Sequence, residues 1–186
     1  MSQLYDLCLM LTQPSADSPE STIANVAVHC DALGLQPMTA QPLSDPFTLL
    51  ERRELEWYLE TYWKWPYEGF TDRGQRVEQL LVDAGKRLYS AVFDQAQTIV
   101  QPWRLQPNVQ RQISIVSTVP SALSLPWELL HDEQGFLALR TKNPISIIRR
   151  LPQTELGASP TALDLPLRVL LVTARPDDAG FVDPRG

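Results

Sequence analysis

Apolar residues alternate with period two from the first residues of the chain. Tyr5, Leu7, Leu9 and Leu11 fall on one face of an extended segment, with Cys8 and Met10 on the other. After a polar, proline-containing loop (residues 13–21), Ala24, Val26, Val28 and Cys30 alternate with Asn25, Ala27 and His29. This predicts a second strand, paired with the first as a hairpin. A helix carrying Ile23, Val26, Ala27 and Cys30 on one side is the weaker alternative. Residues 34–46 hold three prolines and read as loop.

The period then changes to that of a helix. Asp45-Pro46 predicts a helix start, with Asp as N-cap and Pro in the first turn. Leu55, Tyr58, Leu59 and Tyr62 follow at helical spacing, and Trp65-Pro66 predicts the stop. Thr71-Asp72 predicts a second start. Val77, Leu80, Leu81, Ala84, Leu88, Ala91 and Val92 then make an i, i+3, i+4, i+7 stripe reaching Phe93. Residues 45–94 are expected to form a helical hairpin whose apolar stripes face a sheet or each other.

Residues 95–110 are rich in Gln and Pro and read as a connector. Residues 112–119 predict a strand with Ile113, Ile115, Ser117 and Val119 on one face, and residues 126–131 a short helix opened by Pro126. Short strands are expected at 136–139 and 145–150. Residues 152–166 carry Gly, Ser and three prolines, as a linker would. The following run, Leu167 to Ala174, is almost continuously apolar, as in a parallel strand covered on both faces. Such a strand needs neighbours and a crossover. The reading favoured here is a chain cut before its main domain, with 1–151 as the N-terminal part and 167–186 as the first strand of an incomplete core.

Composition narrows the classes of function. Of 186 residues, 44% are hydrophobic and 20% charged, the balance of a globular domain. Sixteen prolines against eight glycines favour extended loops over glycine-rich phosphate cradles. The net charge is −6, and the dense basic spots are no more than pairs, such as Arg52-Arg53 and Arg149-Arg150. Nucleic acid is therefore not an expected partner, since phosphate backbones need clustered cations. No apolar run reaches the ~18 residues of a membrane helix. Two cysteines, Cys8 and Cys30, do not make a disulfide scaffold. A soluble, reducing, cytoplasmic setting is the expectation, with no cofactor and no metal.

Candidate chemistry is sparse. No G-x-S-x-G, G-x-G-x-x-G, P-loop or H-E-x-x-H string occurs, and His29 and His131 are the only histidines. Cys8 with either histidine would supply a nucleophile and a base. A cysteine inside an apolar strand is more simply a small core residue. Trp57, Tyr58, Tyr62, Trp63, Trp65, Tyr67 and Phe70 form a dense aromatic set, suited to packing or to a protein partner. In Leu125-Pro126-Trp127-Glu128-Leu129-Leu130, Glu128 between apolar residues points to a buried carboxylate with a dedicated partner, anchoring a loop. Asp177 and Asp178 follow the last apolar run, where open parallel sheets bind ligands.

Three stretches resemble one family, the CHAT domains: caspase-like proteins often attached to tetratricopeptide repeats. They are Leu55 to Tyr62 with Trp65-Pro66; Leu125 to Leu130 with Gly135 to Leu139 and Ile145 to Arg150; and Leu167 to Ala174 with Pro176-Asp177. The Pro126-Trp127-Glu128 string is the most specific. The resemblance covers most of residues 4–186. It implies an α/β, three-layer caspase-like fold, here truncated, with an N-terminal β-hairpin and a helical hairpin. It further implies cysteine endopeptidase chemistry, in which a His takes the proton of a Cys that attacks the scissile carbonyl. In the family both residues lie beyond the segment matching Leu167 to Ala174. Neither His131, Cys8 nor Cys30 matches them, so no catalytic residue is assigned, and the chain alone is expected to be inactive. The resemblance also implies that Asp177 and Asp178 help line the pocket for the residue before the cut, where they suit a basic side chain. The expected partner is a protein, as substrate or, in the alternative reading, as a ligand of the aromatic helical hairpin in a non-catalytic interaction module.

Overall fold

The computed structural model describes residues 3–62, 64 and 68–152. Contacts divide the chain into Met1–Pro152 and Gln153–Gly186, and the fold is that of the first unit. The linker from residue 153 on, the expected strand 167–174, Asp177, Asp178 and the Trp65-Pro66 helix stop lie outside the described residues.

Strand β1 is Leu4–Thr12 and β2 is Thr22–His29. They pair antiparallel with Leu9 opposite Val28 and Leu11 opposite Val26. Leu7, Leu9, Ala24, Val26 and Val28 are fully buried on one face. The helical alternative for β2 fails because a period-two set of β-branched residues buries one whole face only as a strand.

A third strand, β3 (Gln41–Ser44), forms where a loop was expected. Pro42 obscured it. At a sheet edge a proline removes no ladder bond that a neighbour needs. Leu43 is fully buried, and the Gln41 amide donates to the carbonyls of Ala91 (2.9 Å) and Val92 (3.1 Å).

Helix α1 (Leu49–Trp57) starts three residues later than expected. Its N-cap is Thr48, not Asp45. The Glu51 amide donates to Thr48 Oγ1 (3.3 Å) and the Thr48 amide to Glu51 Oε2 (2.7 Å), a reciprocal capping box. Asp45 instead accepts from the Phe47 amide, turning the chain, and pairs with Arg52. The helix runs on through a wider turn over Tyr58–Tyr62. No residue of α1 is buried, and Leu49 and Leu50 are 81% and 68% exposed. Helix α2 (Thr71–Phe93) does bury its stripe, with Val77, Ala84, Leu88 and Val92 inside and Ala91 exposed. The expected hairpin is thus asymmetric. α1 and the turn after it are tied to α2 by polar bonds, among them Arg73 Nε and Nη2 on Glu54, each at 2.8 Å, and Tyr58 Oη on Glu78 at 2.9 Å.

The expected connector contains helix α3 (Gln97–Leu105). Ile99, Val100 and Trp103 recur at i, i+1, i+4 and are buried. Pro102 lies inside the helix and leaves the Thr98 carbonyl without its usual amide partner. Thr98 is exposed, so water can take that bond.

Strand β4 (Gln110–Ser117) runs parallel to β1, with Leu7 beside Ile113 and Leu9 beside Ile115. It begins and ends two residues before the expected 112–119. Ser117 Oγ donates to the Leu11 carbonyl and accepts from the Val119 amide, ending the strand. Pro120–Leu123 is a single helical turn, α4. The short helix expected at 126–131 is a 3-10 turn over Trp127–Leu129. Strand β5 (His131–Asp132) pairs with β6 (Gly135–Phe136), and the strand expected at 136–139 becomes a second 3-10 turn over Leu137–Leu139. Strand β7 (Ile145–Arg150) lies parallel to β4, as expected in extent.

The result is a mixed α/β fold on a mixed five-stranded sheet ordered β3-β2-β1-β4-β7. The main buried cluster, from Leu7 through Trp127 to Ile145, draws on the face of β1 and β4 that carries Leu9 and Ile115, with α2, α3 and residues 119–137 over it. On the other face Met10 and Ile148 are 38% and 36% exposed.

Candidate functional site

The Pro126–Trp127–Glu128 segment is a bolt between α2 and β7. Trp127 is fully buried and its indole Nε1 donates to the Ala122 carbonyl at 2.9 Å. The α2 backbone comes so close that a Cβ on Gly85 would stand 2.1 Å from the Leu129 carbonyl oxygen. Glu128 departs from its expected burial: its side chain is 53% exposed. Its dedicated partner is Arg149, which holds both carboxylate oxygens, Nη2 reaching Oε2 at 2.7 Å. The same guanidinium donates to the carbonyls of Leu123 (2.8 Å) and Leu125 (3.0 Å). The Arg149 hydrogen bond, against some desolvation, holds the Glu128 carboxyl below the usual range.

The basic pair Arg149-Arg150 is divided between the two faces of the sheet, as adjacent strand residues must be. Arg150 donates to Asp6 Oδ2 at 2.7 Å, and Ser114 Oγ donates to both oxygens of Asp6. Cys8 lies on this same face, directly opposite His29 in the β1–β2 register. His29 Nε2 stands 3.9 Å from Asp31. Burial, and then the charge of Asp6, push the Cys8 thiol above its ordinary pKa, with Arg150 opposing. Cys30 is fully buried, and burial pushes its thiol up as well. Both sulfurs therefore stay protonated near neutral pH, the reverse of what a nucleophilic cysteine requires. His131 is on the distant β5–β6 hairpin, edge-on to Phe136 with ring centres 4.8 Å apart.

The aromatic set packs largely on itself. Trp57 stacks on Tyr62 at 5.6 Å and meets Phe70 edge-on at 5.8 Å, while the Arg73 guanidinium sits 3.7 Å over the Trp57 ring. Trp63, Trp65 and Tyr67 lie outside the described residues.

The densest electrostatic centre involves residues that the sequence did not single out. Asp132, on β5, has a side chain only 6% exposed and is gripped by Arg104 from α3 and Arg140 from the loop before β7. Its Oδ1 also accepts from the Gln134 amide at 2.9 Å. Burial opposes ionisation of Asp132, but the Arg140 bond, the Gln134 amide and both charges outweigh it, and the carboxyl lies below its usual range. Arg111 lies close by, donating to the carbonyls of Trp103 (3.2 Å), Arg104 (2.8 Å) and Gln106 at the end of α3. Burial, and then the charge of Arg140, lower the pKa of Arg111. A cleft of about 360 Å³ opens here, its lining including Arg104, Arg111, Arg140 and Lys142. A second cleft of about 690 Å³, lined in part by Lys86, Tyr89, His131 and Glu133, shares Gln101, Arg104 and Asp132 with it. Among the described residues, Tyr89 Oη, His131 Nδ1 and Arg140 Nε are buried polar atoms without a hydrogen-bond partner. No sequence motif marks this centre, because its members come from α3, β4, β5 and two loops and meet only in three dimensions. Among the described residues no group of His, Cys, Asp and Glu is placed to hold a metal ion.

Comparison with protein-family models, with curated proteins and with solved structures gives no match.

Proposed function

We propose that this chain is the N-terminal scaffold of a caspase-like cysteine endopeptidase of the CHAT type, with the thiol chemistry carried outside the described residues. The observation that carries the reading is the bolt at Pro126–Trp127–Glu128. The most family-specific string of the sequence is the one that Arg149 fastens to β7, the outermost parallel strand of the sheet. A fixed strand edge of this kind is what a catalytic half-sheet needs as its foundation, because reacting groups must be held to within about half an ångström. The protonated state of Cys8 and Cys30 fits a supporting role for this part. In this reading the fold is the three-layer caspase-like one. Asp177 and Asp178 remain the residues suited to a basic side chain before the cut, and their joint replacement by Ala in the whole protein removes any preference for Arg or Lys.

The test is to read the source transcript past the codon for Gly186 and to treat both products with a peptidyl thiol-reactive probe. The reading expects an open frame encoding a Gly-flanked His and, after a further apolar strand, a Cys. It also expects labelling of the long product at that Cys and none of the 186-residue chain. A stop codon directly after Gly186, or labelling of Cys8 or Cys30, overturns it. The second reading, a non-catalytic interaction module, draws on the exposure of Leu49, Leu50 and Leu59 on the helical hairpin. It gains if the stop is found.

A further inference from the structure

We propose that the cleft between α3, the β5–β6 hairpin and the loop before β7 binds the phosphate dianion of a small phosphorylated ligand. The first observation is charge. In a chain of net charge −6, four cations, Arg104, Arg111, Arg140 and Lys142, line one cleft with a single carboxylate, Asp132. Crowding like charges in a partly buried place costs free energy unless something compensates it.

The internal compensation is incomplete. Asp132 has both oxygens engaged and its side chain is nearly buried, and its single charge neutralises one cation. Arg111 is spent on the terminal carbonyls of α3, which carry the negative end of the helix dipole. Setting Arg111 aside, Arg104, Arg140 and Lys142 against Asp132 leave an excess of two positive charges in the smaller cleft, while the larger one adds Lys86 against Asp94 and Glu133. The excess in the smaller cleft matches a phosphate monoester near neutral pH, which carries about −1.5 to −2.

The second observation is unused donor capacity. Arg140 Nε is buried with no partner, and Lys142 is exposed with no ion pair among the described residues. Guanidinium forks suit an oxyanion with several acceptor oxygens, and an ammonium adds a point charge. Gln134 and Asn143, both neutral, line the same cleft. The third observation is room. The 360 Å³ cleft shares Gln101, Arg104 and Asp132 with the neighbouring 690 Å³ cleft lined by Tyr89 and His131, whose Oη and Nδ1 also lack partners. Each falls in the size range of small-ligand sites. The phosphate binds among Arg104, Arg140 and Lys142, and the body of the ligand lies toward Tyr89 and His131.

The experiment titrates phenyl phosphate, and separately benzoate, into the full chain at low ionic strength near pH 7.5, followed by amide chemical shifts. Saturable shifts clustered at residues 101–104 and 132–143 are expected. Lys142→Gln should weaken binding about 3- to 10-fold, and Arg140→Gln by about tenfold or more. The exposed, distant Arg53→Gln should leave it unchanged. Lys142 takes no part in the Asp132 ion pairs, so its variant keeps the test open if Arg140→Gln fails to fold. No saturable shift, shifts spread over the surface, or equal weakening by Arg53→Gln overturns the site. Benzoate binding as tightly as phenyl phosphate overturns the choice of a dianion.

Discussion

Arg149 ties Glu128 and the Leu125 carbonyl to β7 through one nitrogen, Nη2, at 2.7 and 3.0 Å. One side chain thereby fixes both ends of the Pro126–Trp127–Glu128 turn to the sheet. The two partners should contribute unequally. Arg149→Ala strips donors from two backbone carbonyls as well as from Glu128, and is expected to cost about 2 kcal/mol. Glu128→Gln keeps the shape and removes a half-exposed charge, with an expected cost of about 0.5 kcal/mol. Urea denaturation of the two variants checks the ratio; equal costs would mean that the carbonyl bonds contribute nothing.

Gly85 tests the closeness of α2 to the same turn. Alanine normally stabilises a helix interior relative to glycine by about 1 kcal/mol. Here its Cβ would meet the Leu129 carbonyl oxygen at 2.1 Å, which forces helix and turn apart. Gly85→Ala is expected to destabilise by about 2 kcal/mol or more. Gly69, where an added Cβ meets nothing within 4 Å, serves as the control position. A stabilised Gly85→Ala variant would show that the helix does not lie against the turn.

Asp132 should make the fold acid-sensitive. Its carboxyl lies below the ordinary value in the folded state, so the folded chain binds that proton less readily than the unfolded chain. The stability it confers is present above the unfolded carboxyl pKa of about 4 and is lost as pH falls through the lowered folded value. Glu128 acts in the same direction, more weakly because it is half exposed. Thermal unfolding from pH 7 down to pH 3 should show a steeper loss in the wild type than in Asp132→Asn. Parallel curves would remove Asp132 as the cause.

The thiols offer the opposite sign. Cys8 and Cys30 have raised pKa values, so the unfolded chain releases those protons first. Their contribution is intact below the unfolded thiol pKa of about 8.5 and declines as pH rises above it. Native protein at pH 8 should therefore react slowly with a disulfide reagent and fully once unfolded in guanidinium. Rapid native labelling of Cys8 would instead mark a lowered pKa, and would revive its pairing with His29.

The elements whose burial repeats at a fixed period were legible from the residues alone. β1, β2, β4, β7 and α2 each carry an apolar face that recurs every two or every 3.6 residues, and water enforces that pattern locally. The misplaced elements are those in which a local signal met a tertiary one. Pro42 and Pro102 argued for loop, yet an edge position excused the first and the exposure of Thr98, one turn earlier, the second. Asp45-Pro46 carried the composition of a helix start, but the reciprocal bonds of Thr48 and Glu51 decided where α1 begins. Glu128 could be seen to need a partner; that the partner is Arg149, 21 residues on, depended on β7 lying beside the turn. The meeting of Arg104, Asp132 and Arg140 left no trace in the chain order. Charge pairing is set by distance in space, and only the fold, which seats β5 on α2 within reach of Arg104 at the end of α3, makes those distances short.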